Sequence, residues 1–215
     1  MSGKTFEQPL ADRRSARRTA ARDEIVDAAW ALAREQGLAG ITMRDLGARV
    51  GMRAQSLYSY FGSKHEIYDA MFEQGYRAFA DWMQADAQPP AAPRAYTQAH
   101  RYFEFCVGDP VRFQLLFQRT IPGFEPSAQS YAIALQVLEQ MTGELAALGV
   151  AGPAVDMWTA VMTGLASQQI ANDPGGERWR RLVDGAVDML LAHTGTMNGA
   201  GGAPASRRAR TRRTP

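Results

Sequence analysis

Apolar side chains recur at intervals of three and four residues along almost the whole of this chain, and they almost never alternate at every second position. The first spacing lines one face of a helix; the second would be needed for a half-buried strand. The sequence therefore predicts an all-α protein of about nine helices. The periodicity and its stop signals place them at about 19–36, 43–50, 54–61, 64–85, 94–107, from Asp109-Pro110 onward, 127–148, 153–172 and 177–193. With 215 residues, 46% of them hydrophobic, the chain can bury a sizeable core without covalent staples. Cys106 is its single cysteine, which excludes an internal disulfide. No His/Cys spacing suggests a metal, so no cofactor is expected and a reducing cytoplasm is the simplest location. The first 18 residues hold no apolar stretch, and the most apolar run, 157–171, is interrupted by Gln168 and Gln169 and flanked by Asp156 and Asp173, so neither a leader nor a membrane span is expected.

Local signals sharpen the first half. Ile25, Ala29, Leu32 and Ala33 share one face of the first helix, and Gly37 stops it. Thr42-x-x-Asp45 and Ser63-x-x-Glu66 both read as capping boxes. Leu46 and Val50 form a core pair on the short second helix, which ends at Gly51, a residue free to adopt the left-handed turn conformation. The long helix after Ser63 directs Ile67, Met71, Gly75, Phe79 and Trp82 inward. A proline-rich break, 87–93, reads as a loop. The chain thus divides into a basic disordered arm (1–18), a three-helix head (19–66), a larger helical body (67–194) and a basic tail (195–215), which is too poor in apolar residues to order itself.

The net charge of +2 conceals a segregation: residues 1–65 carry +4, residues 66–194 carry −7 and residues 195–215 carry +5. Such a layout suits a head that approaches a polyanion and a body that does not, although ordinary solvated faces would produce blocks of charge too. Two short helices joined by a glycine-containing turn follow the helix-turn-helix plan, in which the second enters the major groove of DNA. At about 100° per residue, with Leu57 facing the core, Phe61 falls near 40°, Gln55 near 160° and Ser59 near 200°. Tyr58 and Tyr60 lie on opposite flanks, while Ser56 and Ala54 stand at the helix start. Amide and hydroxyl groups of Gln55, Ser56 and Ser59 suit base edges, Ala54 offers an apolar contact, and the tyrosine hydroxyls suit phosphates. Arg44 points outward from the preceding helix toward a guanine or a phosphate, and Lys64 adds a cation at the start of the next.

These residues carry a family resemblance. The stretch "ITMRDLGARVGMRAQSLYSYFGSKHEIYDAMFE", 41–73, resembles the DNA-binding signature of the tetracycline-repressor (TetR) family: a helix-opening threonine, a glycine turn, Leu-Tyr-x-Tyr-Phe and Ser-Lys. The likeness extends over about residues 20–73. It implies a homodimeric one-component regulator in which Thr42, Tyr58, Tyr60 and Lys64 meet the DNA backbone. Arg44, Gln55, Ser56 and Ser59 would face bases. The chain departs from the pattern at Gly51-Met52-Arg53, where the family usually has Val-Ser, and Arg53 becomes a further candidate for a phosphate contact.

The resemblance also implies a ligand-binding and dimerising body. Aromatic and methionine side chains, which adapt to varied apolar shapes, gather between residues 100 and 165, and Tyr102, Phe105, Cys106, Phe117, Met141, Trp158 and Met162 are the candidates to line a site for a mainly apolar small-molecule effector. Plain core packing is the alternative for each. The helices at 153–172 and 177–193 carry more apolar residues than one face needs, as a four-helix interface with a second copy requires. The expected function is a transcriptional regulator, a repressor released from a palindromic operator in double-stranded DNA by its effector. A nonspecific nucleic-acid-binding protein using its arginine-rich tails is the rival. Arg13, Arg14, Arg17 and Arg18 either track phosphates or a minor groove, or are solvated; Arg207, Arg208, Arg210, Arg212 and Arg213 read as a soluble tail. Catalysis is not expected: His65, His100 and His193 are scattered, and no phosphate loop or nucleophile elbow occurs.

Overall fold

The computed structural model describes residues 8–85 and 93–200, with side chains from 13 to 195 outside that gap. Its elements are α-helices: α1 (Gln8–Gln36), α2 (Met43–Arg49), α3 (Ala54–Leu57), α4 (Lys64–Gln84), α5 (Arg94–Gly108), α6 (Pro110–Phe117), α7 (Ala128–Ala147), α8 (Pro153–Asn172) and α9 (Val183–Ala200), with single 3-10 turns at Leu38–Gly40 and Arg180–Leu182. Among the described residues there is no strand, as the period of the sequence requires.

Three boundaries differ from expectation, each because hydrogen bonding outweighs pattern. Helix α1 begins at Gln8, so residues 8–18 are not the expected disordered arm; arginine and alanine are good helix formers, and the segment propagates from an already folded helix. The α-helical part of α3 is only one turn, and it tightens through Tyr60 N–H to Leu57 C=O (2.8 Å) before closing at Phe61. The last helix opens at Val183 after a 3-10 turn and continues to Ala200, past the expected end at 193; residues 201–215, with their five arginines, lie outside the described residues.

The caps fall where the sequence put them. Thr42 Oγ1 accepts from Asp45 N–H, and Ser63 Oγ accepts from Glu66 N–H while the Glu66 carboxylate accepts from Gly62 N–H. Asp109 caps α6 through Arg112 N–H, with Pro110 in the first turn, and Ser127 caps α7.

Two packed cores result. The head core joins Ile25, Ala29, Leu32 and Ala33 of α1, Leu46 of α2, Leu57 and Phe61 beside α3, and Ile67, Tyr68 and Met71 of α4. The body core joins α4 to α9 around Phe79, Phe103, Cys106, Phe113, Trp158, Met162, Val187 and Leu190. Helix α6 divides itself between them: Leu115 lies in the head core, Phe113 and Leu116 in the body core. At Gly75 of α4 an added Cβ would stand 2.9 Å from Leu116 Cδ2, so the bare backbone is what lets α4 and α6 approach. Trp82, expected inside, is instead 44% exposed at the end of α4, where its indole N–H donates to Arg101 C=O. A tryptophan is too large for full enclosure there and keeps its polar edge satisfied.

Candidate nucleic-acid interface and body cavity

The head presents one face of α3. Leu57 and Phe61 are wholly buried, which stabilises the head by about 1.5–3 kcal/mol each. Their burial turns the other side outward: Gln55, Ser56 and Ser59 are exposed, and Tyr58 is 52% exposed. Tyr60 is half-buried, its ring 5.4 Å below the Arg18 guanidinium. Ser59 Oγ donates to Ser56 C=O, which leaves its lone pairs for an outside donor.

The turn before α3 is set by Gly47 and Gly51. Gly51 has φ +66°, in the left-handed region. At Gly47 an added Cβ would stand 2.7 Å from Met52 C=O and 3.2 Å from Ala54 N, so α2 and the start of α3 touch backbone to backbone. Ala54 is consequently half-buried in that contact. Arg53 precedes the helix in extended conformation, exposed and making no side-chain cap.

The remaining candidates surround this face. The Arg44 side chain is 90% exposed and 3.6 Å from Asp45. Thr42 is exposed, but its hydroxyl donates to Asp45 Oδ2 (2.6 Å), so within this conformation it offers an acceptor and no donor. Lys64 is half-buried, with its ammonium 5.5 Å from the Tyr68 ring. Sequence reasoning named Arg18 only as part of a basic arm and missed Arg22. Arg18 Nη2 donates to Ser59 C=O (2.6 Å), and Arg22 donates to Tyr60 C=O while lying over the Phe61 ring at 4.0 Å. These arginines satisfy the last carbonyls of the short recognition turn. Their signal was the i, i+4 spacing, visible only once the arm is taken as helix.

A cavity of about 200 Å³ lies in the body, lined by α4, α5, α6, α7 and α8. Of the seven predicted residues, Tyr102, Phe117, Met141, Trp158 and Met162 line it. Phe105 and Cys106 do not: Phe105 packs on Phe79 with ring centroids 4.8 Å apart, and Cys106 is wholly enclosed in the core. Successive residues of α5 cannot all face one space, since each turns about 100° from the last. The structure adds Tyr76, Phe79, Tyr131, Leu135, Leu138 and Thr159 among others. Tyr131, Leu135 and Leu138 are half-exposed on α7 and form the rim.

No charged side chain lines the cavity, and burial holds the Tyr76 and Tyr102 phenols in their neutral form. Burial, reinforced by Tyr131, pushes the Tyr76 hydroxyl up to about 12; it donates to Leu116 C=O. Tyr102 is raised further, first by burial and then by Cys106, and its hydroxyl lies 2.8 Å from Thr163 Oγ1. Burial also raises the Cys106 thiol to about 12, which makes it a poor nucleophile. The arrangement can hold an uncharged apolar group. Among the described residues there is no group of three or more His, Cys, Asp or Glu side chains placed to hold a metal ion, and no helix is long and apolar enough to cross a membrane.

A short three-helix unit with a backbone-tight turn and an outward-facing polar third helix defines a helix-turn-helix protein. Comparison with known proteins narrows this. Residues 25–71 match the family described as bacterial regulatory proteins, tetR family. The transcriptional repressor KstR2 of Mycobacterium tuberculosis is 37% identical over 62 residues, which is 29% of each chain, so the likeness spans under a third of that relative. A tetR-family transcriptional regulator from Streptomyces coelicolor superposes with TM-score 0.65 at 19% identity, covering 84% of both chains. FadR of Bacillus subtilis, solved with stearoyl-CoA, superposes with TM-score 0.59 at 18% identity, covering 79% of this chain and 97% of its own. Residues 25–71 of the head thus carry the sequence pattern of the tetR family of bacterial regulatory proteins, and the chain shares its fold with solved regulators of that kind.

Proposed function

We propose that this protein is a homodimeric transcriptional repressor that binds a palindromic operator through its head (19–66) and leaves it when a mainly apolar small molecule occupies its body (67–194). The observation that carries the reading is the division of α3 into a wholly buried Leu57–Phe61 side and an exposed Gln55, Ser56, Ser59 side. Gln55 and Ser56 read base edges; Tyr58, Tyr60, Arg44, Arg53 and Lys64 hold phosphates. The cavity suits an uncharged effector. Its 200 Å³ is below the usual 300–1,000 Å³ of ligand pockets, so occupancy by anything larger separates α7 from its neighbours. Ligand capture by a protein of the same fold, FadR with stearoyl-CoA, supports a binding role for the body.

Dimerisation rests on α8 and α9. Met157, Leu182 and Met189 are 41–56% exposed, and the small residues Ala160, Gly164 and Gly185 lie exposed between them, open to close approach by a second copy. Two heads related by a twofold axis then require an inverted-repeat site.

The test is selection of duplexes from a random pool by the full chain, followed by footprinting. The reading expects an inverted repeat with half-sites about one helical turn, or a multiple of it, apart. Selection without any repeat would turn the protein into a nonspecific polyanion binder.

A further inference from the structure

We infer that the amino-terminal extension of α1 is a second DNA-backbone contact surface, built as an arginine stripe continuous with the recognition helix. The inference rests on the DNA-binding reading above and extends it beyond the helix-turn-helix residues.

Residues 13–22 hold five arginines and no acidic residue, and they lie within the unbroken helix Gln8–Gln36. On a helix, Arg14, Arg18 and Arg22 fall within about 80° of one another, because four residues advance by about 40° round the axis. The structure fixes where that stripe faces. Arg18 and Arg22 donate to Ser59 C=O and Tyr60 C=O, at the end of α3, so the stripe runs directly off the edge of the exposed recognition face. Arg18 additionally covers the Tyr60 ring, which places its charge beside the exposed Tyr58–Ser59 edge.

Arg14 lies one turn further out, about 6 Å along the axis. It is exposed and has no hydrogen-bond or ion-pair partner among the described residues. Each DNA strand carries a phosphate every ~3.4 Å of duplex axis, so a bound duplex offers Arg14 a phosphate within the length of its side chain. A duplex seated on Gln55 and Ser59 therefore continues past the end of α3 into the reach of Arg14. The partner is the sugar-phosphate backbone: the stripe holds only guanidinium groups, which pair with phosphate oxygens bidentately. Arg13, about 140° round the helix from Arg18, faces away.

The experiment measures the affinity of the full chain for a duplex it has itself selected, across a salt series. R14Q should lower the slope of log affinity against log salt by about 0.9 per head, weaken binding to all duplexes alike, and leave thermal melting unchanged. R14K should restore the slope, since it restores the charge. An unchanged slope in R14Q, a failure of R14K to restore it, or an equal loss in R13Q would overturn the stripe. These outcomes leave the parent reading standing; that reading falls only if the unaltered chain selects no inverted repeat.

Discussion

Arg34 of α1 donates through Nε and Nη2 to a single carboxylate oxygen of Asp109, at 3.2 and 2.7 Å, and so ties the head to the first turn of α6 in the body. Asp109 serves twice, since its other oxygen caps α6 at Arg112 N–H. The Arg112 guanidinium lies 3.7 Å from the same carboxylate and 5.5 Å from the Trp30 ring of α1. Because α6 carries Leu115 in the head core and Phe117 at the cavity, this junction is where a change in one half is felt in the other.

Removing Asp109 should cost more than removing Arg34. The arginine is 46% exposed, so its pair contributes at most about 1 kcal/mol, and R34A should lose no more than that in urea unfolding. D109A loses the cap as well and should lose about 2 kcal/mol. A double-mutant cycle should show coupling between the two.

Gly47 should not tolerate a side chain. The atom nearest its missing Cβ is the backbone oxygen of Met52, which cannot rotate away. G47V should destabilise the head by about 1–3 kcal/mol and abolish duplex binding, while circular dichroism shows the body helices retained.

The tyrosine hydroxyls should matter to DNA and not to folding. Y58F and Y60F should each lower duplex affinity by about 0.5–1.5 kcal/mol with no change in melting temperature, because neither hydroxyl has a hydrogen-bond partner among the described residues. Equal affinity of the double variant would remove the phosphate role assigned to these flanks.

Alkaline pH should unfold the body at a predictable point. Tyr76 and Cys106 both have folded-state pKa values near 12, raised by burial from 10.0 and 9.0. A raised value means the folded state holds its proton longer, so the stability these groups contribute is complete below pH 9. It declines between about 9 and 12, by at most about 1.4 kcal/mol per pH unit per group. Chemical denaturation at pH 7 to 11 checks this, and C106A should remove the part that begins near pH 9. Alkylation of native Cys106 at pH 7 should be far slower than in denaturant.

Filling the cavity should separate binding from folding. A134F places a ring among Tyr76, Leu138 and Trp158 and should abolish uptake of an apolar fluorescent probe. W158A removes a buried indole and should cost about 3–5 kcal/mol in unfolding experiments.

The sequence by itself determined the helical period, the caps at Thr42, Ser63 and Asp109, the left-handed Gly51 and the inward face of Leu57 and Phe61. All of these are set by interactions within four residues or by the turn of a single helix. Tertiary structure decided which residues meet across helices. Arg18 and Arg22 found carbonyl partners 41 and 38 residues away, and Gly47 found the backbone of the following turn. Five of seven predicted cavity residues line the space, because an apolar residue on a buried face can lie toward a void or toward a neighbour. Only the placement of α4, α7 and α8 distinguishes Met162 at the wall from Cys106 in the core behind it.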